Sequence, residues 1–205
     1  MAPLNLFETN EPQELLPLGD SYARYFPAYI DDFEAAKIFS ELLSAGFWQQ
    51  PDIQMFGKVS KLPREVAWIT ERGQQYRYSG ITSNPQPWNP ILEELCLRVS
   101  ETSGVSFNSV LLNRYRDGKD SVSWHSDDEP ELGTAPYIAS LSFGAERRFQ
   151  LRNKYSNETI EKRLAHGSLL LMFGNCQRDW LHRIPRESRV NSPRINLTFR
   201  ILNSC

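Results

Sequence analysis

The sequence predicts a mainly β fold with flanking helices, an α+β chain whose strands build a sandwich or jelly roll. Three observations carry this. After residue 105 the chain becomes a series of short apolar or alternating runs. Gly118, Gly133, Gly144, Gly167 and Gly174 punctuate them, the texture of antiparallel two-sheet folds. Ahead of them stand two segments of helical periodicity, placed to cover one sheet face.

Taken in order, residues 1–20 are acidic and proline-bearing and are expected as a loosely ordered arm. Residues 21–205 form one domain. A first helix is expected from Asp31 to about Ala45. Asp31 or Asp32 caps it, Phe33, Ala36, Phe39, Leu42 and Leu43 recur at helical spacing, and Gly46 ends it. Residues 51–88 read as short strands and turns, with Gly57 turning IQMFGKVS and QYRYSG alternating like a strand. Asn89-Pro90 then supplies the cap and first turn of a second helix to about Thr102, followed by Gly104. Its apolar face is Ile91, Leu92, Leu95, Cys96 and Val99. Strands are expected at Ser109–Tyr115, Tyr137–Phe143, Arg148–Arg152, Ser168–Phe173 and Asn196–Leu202.

Composition excludes several classes. The 205 residues are 40% hydrophobic and 23% charged, ordinary globular usage. No apolar run is long enough to span a membrane, and the first residues lack the basic start and apolar middle of a signal peptide. Cys96, Cys176 and Cys205 are widely spaced with no CxxC, which favours a reducing compartment. The net charge of −2 conceals an asymmetry. Residues 1–50 hold two Lys/Arg against eight Asp/Glu, and residues 145–205 hold twelve against five. A basic C-terminal third suits a polyanionic partner; on charge alone a mixed, solvated surface is the simpler reading.

Chemistry concentrates in a few places. His125-Ser126-Asp127 puts one imidazole and one carboxylate on the same side of an extended segment. His182 is available as a third ligand, completing the two-histidine, one-carboxylate set of non-haem Fe(II) oxygenases. The HxD pattern alone is also a common polar turn. Near the C-terminus, Arg194, Asn196, Thr198 and Arg200 share one strand face by the period of two. Two arginines on one face repel unless an anion lies between them, and a dicarboxylate suits their forked donors. Asn113 and Tyr115 share a strand face, with Arg114 opposite.

The segments LLNRYRDG, WHSDDE, ASLSFGAERRFQLR, HGSLLLM, WLHRIP and PRINLTFR, in this order, resemble the AlkB family, Fe(II)- and 2-oxoglutarate-dependent dioxygenases that demethylate alkylated nucleic-acid bases. The resemblance covers about residues 50–202, and in motif it is most similar to the AlkB homolog 2 type. It implies a double-stranded β-helix (jelly roll) at about residues 105–205, an N-terminal helical layer and a nucleotide-recognition lid at about residues 50–85. It implies His125, Asp127 and His182 as iron ligands. Asn113, Tyr115, Arg194, Asn196 and Arg200 become 2-oxoglutarate contacts, with Arg194 at the distal carboxylate and Arg200 nearer the metal. His166 matches no ligand position and reads as structural. The implied cofactors are Fe(II), the cosubstrate 2-oxoglutarate and O2.

On the substrate side, the resemblance implies base flipping or action on single strands, because an alkyl group on a Watson–Crick edge is inaccessible in a duplex. Gln75 to Gly80 is similar to the family's lid motif. Tyr76, Tyr78, Ser79 and Glu129 then meet the base or its neighbourhood, and Tyr78 stacks on it. Phe56, beside Gly57 at a hairpin tip and followed by Leu62-Pro63-Arg64, takes the place of the aromatic finger, with Arg64 as a further substrate contact. The family's basic loop for the opposite strand has no clear counterpart in Lys154–Arg163, where Glu158 and Glu161 intervene. The expected partner is alkylated DNA, single- or double-stranded, with RNA as a further substrate and the chain as a monomer. The short N-terminal arm leads us to expect a bacterial cytoplasm, or a nucleus in a eukaryote. Two other readings stay open: a hydroxylase of protein or small molecules, and a non-catalytic nucleic-acid-binding module on the same fold.

Overall fold

The computed structural model describes residues 13–19, 21–55, 58–70, 76–78, 81–83 and 85–203, with backbone alone at 55, 58, 76–78 and 81–83. In chain order the elements are β1 (Glu14–Leu15), β2 (Ser21–Phe26), α1 (Asp32–Ser44), β3 (Asp52–Met55), β4 (Lys58–Lys61), β5 (Glu65–Thr70), β6 (Tyr76–Tyr78) and β7 (Ile81–Ser83). There follow α2 (Pro90–Ser103), β8 (Ser109–Tyr115), β9 (Val122–His125), a 3₁₀ turn (Pro130–Leu132), β10 (Ile138–Gly144), β11 (Arg147–Asn153) and β12 (Thr159–Leu164). The last are β13 (Ser168–Gly174), α3 (Cys176–Asp179), β14 (Trp180–Ile184) and β15 (Arg194–Arg200).

Two antiparallel sheets face each other. The large one runs β1-β2-β13-β10-β15-β8-β5 and the small one β12-β11-β14-β9. The hairpins β3–β4 and β6–β7 stand apart from both. The strand period of two divides the large sheet's side chains cleanly. Along β15, Ile195, Leu197 and Phe199 pack with Leu141, Leu112 and the buried residues of α1 and α2. The alternate residues, Arg194, Asn196, Thr198 and Arg200, point between the sheets, where Trp68, Leu111, Leu151 and Trp180 form a second core. The site lies in this inter-sheet space.

The helices form where the cap chemistry expects them. Asp31 Oδ1 accepts from the N–H groups of Phe33 and Glu34 at 3.0 Å, and Asn89 Oδ1 accepts from Leu92 N–H at 3.0 Å, satisfying amides that lack intrahelical partners. Gly104 closes α2 at φ 70°. The buried face of α2 is the expected one. That of α1 is not: Ala35, Ile38 and Leu42 are buried, while Phe33 is 86% exposed. The stripe Ala35/Ile38/Leu42 has the same helical spacing as the expected one and lies beside it. Phe39 and Leu43 only flank it. Periodicity identified the helix but not which of two adjacent stripes meets the sheet.

Other differences concern the placement of strands. Within the expected loose arm, Glu14 and Leu15 pair as β1 with β2, and Leu16 and Leu18 are buried. The expected lid at 50–85 contains β5, which is an edge strand of the large sheet against β8. The segment 154–163 is a turn leading into β12, paired with β11. β15 begins at Arg194, not Asn196. Gly144 ends β10 at φ 84°, where a Cβ would lie 2.4 Å from Pro193 O and 2.6 Å from Phe39 Cε2. Only glycine admits that approach of α1 to the sheet.

Candidate active site

β8, β9, β14 and β15 deliver the chemistry-bearing side chains to one cavity between the sheets. It is lined by Asn113, Tyr115, His125, Asp127, His182, Arg194, Asn196 and Arg200, with Leu111, Phe149 and Met172 among its apolar walls. His125 and His182 are register partners on β9 and β14, with ring centroids 4.3 Å apart. Asp127 follows β9 by two residues. One donor atom from each of His125, Asp127 and His182 lies within 4.8 Å of the others.

Hydrogen bonds fix which atoms face the centre. His125 Nδ1 is 2.8 Å from Ser123 O. A carbonyl only accepts, so Nδ1 carries the proton and Nε2 keeps its lone pair. Asp127 Oδ1 accepts from Arg200 Nη2 at 2.6 Å, while Oδ2 faces His182 Nε2 at 3.9 Å. The backbone N–H of Asp127 donates to Gln177 Oε1 at 3.0 Å. His182 stacks on Phe149.

Electrostatics agree with a ligand set. Burial pushes His182 down to about 3, helped by His125, and desolvation lowers His125 as well. Both imidazoles are therefore neutral at pH 7, the form that binds a metal. Burial raises the Asp127 carboxyl, but the charge and hydrogen bond of Arg200 outweigh it and hold it below the usual carboxylate range. Two neutral imidazoles and one carboxylate with open positions are the donor set of non-haem Fe(II), so these residues fit that metal.

At the other end, Arg194 is 1% exposed. Its Nη2 donates to Ser142 Oγ at 2.9 Å, while Nε and Nη1 have no hydrogen-bond partner among the described residues. A buried guanidinium with unused donors is costly unless a ligand meets it. Its Cζ lies 5.2 Å from the Tyr115 ring, whose environment also holds Arg147 at 5.5 Å. A carboxylate-bearing cosubstrate fits this end.

The remaining expected residues are placed as follows. Asn196 is buried, its Nδ2 donating to Ser140 Oγ and Leu141 O and its Oδ1 accepting from Thr198. Its amide is thus held by the protein itself. Arg64 is 4% exposed, and its Nε donates to Asn113 Oδ1 at 2.7 Å. It does not line this cavity but lines the neighbouring groove with Pro63 and Trp124. Glu129 precedes the 3₁₀ turn and is not a lining residue of the cavity. Tyr76 and Tyr78 lie on β6, paired with Ser83 and Ile81; their side chains, with Phe56 and Ser79, lie outside the described residues. His166 Nδ1 accepts from Gly144 N–H at 2.9 Å and packs edge-on to Phe39 and Phe143, a structural role.

The structure adds residues that the sequence reading did not name. Gln177 holds the Asp127 backbone. Lys154 Nζ donates to Ser126 Oγ and to Gln177 O, bracing the loop between the two expected ligands. Ser140 and Ser142 of β10 serve Asn196 and Arg194. ASLSFG alternates serine and apolar residues, and that period was the available signal for the two serines. Nothing local in sequence marks Gln177 or Lys154.

Comparison with known proteins agrees with this geometry. The sequence profile of the 2OG-Fe(II) oxygenase superfamily matches residues 22–200. The alpha-ketoglutarate-dependent dioxygenase alkB homolog 3 of Homo sapiens is 44% identical over 196 residues, spanning 91% of this chain and 68% of that protein. The DNA oxidative demethylase ALKBH2 of Mus musculus is 44% identical over 178 residues, 82% of this chain and 74% of that protein. The two branches therefore match at equal identity, the homolog 3 alignment covering more of this chain. The structure of OsALKBH1 superposes with a TM-score of 0.65 at 16% identity, over 93% of this chain and 100% of that one, and shares the fold. The chain belongs to the 2OG-Fe(II) oxygenase superfamily and, within it, to the AlkB family of dioxygenases.

Proposed function

We propose that the chain removes N-alkyl groups, of the 1-methyladenine and 3-methylcytosine type, from nucleic-acid bases using Fe(II), 2-oxoglutarate and O2. The observation that carries this is one buried cavity holding His125, Asp127 and His182 at one end and Arg194, with two unused donors, at the other. The names of the relatives supply the substrate class. When bound, Fe(II) with 2-oxoglutarate and O2 supplies an oxidative decarboxylation, giving succinate and CO2, and oxygenates the N-alkyl carbon, which leaves as formaldehyde.

The protein's own residues do the rest. His125, through Nε2, Asp127, through Oδ2, and His182 would hold the metal. Arg200 takes Asp127 Oδ1, which fixes the carboxylate's orientation. Arg194 pairs with the distal carboxylate of 2-oxoglutarate, and Asn113 and Tyr115 line its path. Arg64 orients Asn113. Leu111, Phe149 and Met172 give the cavity an apolar wall, which limits water. The two hairpins, β3–β4 and β6–β7, form the nucleotide-recognition lid over a base flipped from its stack.

DNA is the expected substrate, making the activity direct-reversal repair, with RNA also accepted. The chain acts as a monomer, in a reducing compartment that suits the free buried thiols of Cys96 and Cys176. No helix of the described residues is long and apolar enough to cross a membrane.

The test is formaldehyde and succinate release from matched single- and double-stranded oligonucleotides carrying one 1-methyladenine. We expect both products in equal amounts, and neither from His182→Ala. Succinate without formaldehyde would move the assignment to a hydroxylase of another substrate. Neither product from folded, iron-loaded protein would favour a binding module.

A further inference from the structure

The outward face of the small sheet carries a stack that the cavity does not use. Trp124 on β9 lies beneath two guanidiniums. Arg152 Cζ of β11 is 4.5 Å from its ring centroid, and Arg183 Cζ of β14 is 4.3 Å away. The chain neighbours of these arginines face inward: Leu151, His182 and Ile184 are buried between the sheets. The stack is therefore on the solvent side, directly behind the site.

Its charges are unbalanced. Nearby Arg148 pairs with Glu187 and Glu161, and Arg163 with Glu146. Neither Arg152 nor Arg183 has a carboxylate partner among the described residues. Arg183 Nε donates to the neutral Gln150 Oε1 at 2.7 Å, and Arg152 makes no side-chain hydrogen bond among them. Two like charges converge on one indole, whose π face attracts each by only about 0.5–1 kcal/mol at an exposed site. Both arginines are half-buried, and a guanidinium fork is the donor geometry that grips phosphate. The stack also connects to the site. A groove lined by Trp124 and His125 on β9 and by Ile53, Pro63 and Arg64 runs alongside the edge strand.

We infer that Trp124, Arg152 and Arg183 form a cradle for the phosphodiester backbone of the substrate strand, beside the nucleotide being dealkylated. The inference rests on the nucleic-acid reading above. Each guanidinium takes one phosphate, and the indole holds the two forks in register. Binding through phosphates is independent of base sequence and sensitive to salt.

The test uses full-length protein loaded with Mn(II) and 2-oxoglutarate, and a fluorescent, unmodified single-stranded oligonucleotide titrated by anisotropy across a salt series. Arg152→Gln/Arg183→Gln should bind about tenfold more weakly, and its log–log salt slope should be shallower by about 1.4, the value for two single-strand phosphates. Each single variant should lose about half of that slope, which preserves the test if the double variant fails to fold. Arg152→Lys/Arg183→Lys should keep the slope, since an ammonium also neutralises a phosphate. A folded Gln/Gln variant with wild-type affinity and slope would overturn the cradle. So would a Lys/Lys variant as impaired as Gln/Gln, because the stack would then be purely structural. A wild-type chain that neither binds the oligonucleotide nor releases formaldehyde would instead refute the substrate reading.

Discussion

Replacing Arg194 with methionine should stabilise the ligand-free protein while disabling it. Burial lowers this guanidinium well below its ordinary value, to about 10, and Tyr115 only partly offsets the effect. At about 1.4 kcal/mol per unit, burying the charge without its anion costs about 3 kcal/mol. Because the folded value lies below the unfolded one, the cost is present throughout neutral pH and fades only as pH rises past about 10. Methionine removes it, at the loss of the Ser142 hydrogen bond, worth about 1 kcal/mol. The net gain is about 2 kcal/mol, or about 4–8 °C in Tm for a chain of this size. Cosubstrate should close most of that gap. At one hundred times its Kd, 2-oxoglutarate with Mn(II) stabilises the wild type by about 2.7 kcal/mol. Removing one partner of a buried charge pair costs about 2–5 kcal/mol. The same ligand concentration should therefore give the variant less than about 1 kcal/mol. Thermal melts with and without ligand read both quantities. A variant that melts below the wild type without ligand, yet gains as much from 2-oxoglutarate, would refute the assignment of Arg194 to the anion.

Two further outcomes test the scaffold. Glu187 is raised by burial, but the Arg148 N–H and the Arg147 guanidinium outweigh this and hold it below its ordinary value. A depressed carboxyl contributes stability that is full above the unfolded value and lost as pH falls. Glu187→Gln should accordingly cost a constant amount above about pH 5, and the gap should close at lower pH. A gap that persists unchanged in acid urea titrations would contradict the pairing. Gly118→Ala should cost about 3 kcal/mol or more, since a Cβ there would lie 1.7 Å from Glu187 O. Arg147, donating to the carbonyls of Asp117 and Asp120, restrains the loop from moving away. A melting temperature within 2 °C of the wild type would show that the loop yields.

The site was more legible in sequence than the scaffold was. A strand's side chains alternate, so Arg194 and Arg200 could be placed on one face, and Asn113 with Tyr115 on another, before their strands were known to be neighbours. Likewise His125 and Asp127, two residues apart, had to share a side. What stayed hidden depends on distant chain. Gln177 reaches Asp127 across fifty residues, and Lys154 reaches Ser126 across twenty-eight, with no local signature. The strand β12 alternates exposed and half-buried residues on the sheet's edge, so its apolar signal is weak. On α1 two stripes of equal period compete, and only the sheet beneath decides between them.

The position of β15 has a consequence for how the molecule is made. It lies in the interior of the large sheet, hydrogen-bonded to β10 on one side and β8 on the other. It is also the last strand in chain order. β2, near the opposite end, pairs with β13. A growing chain can form its helices early, but the sheet stays split around a missing centre until Arg194–Arg200 emerges. Folding should therefore be a late, single, slow event on the millisecond-to-second scale of strongly non-local β topologies. The strand that closes the sheet also carries Arg194 and Arg200, so closing the sheet and assembling the basic end of the cavity are one event.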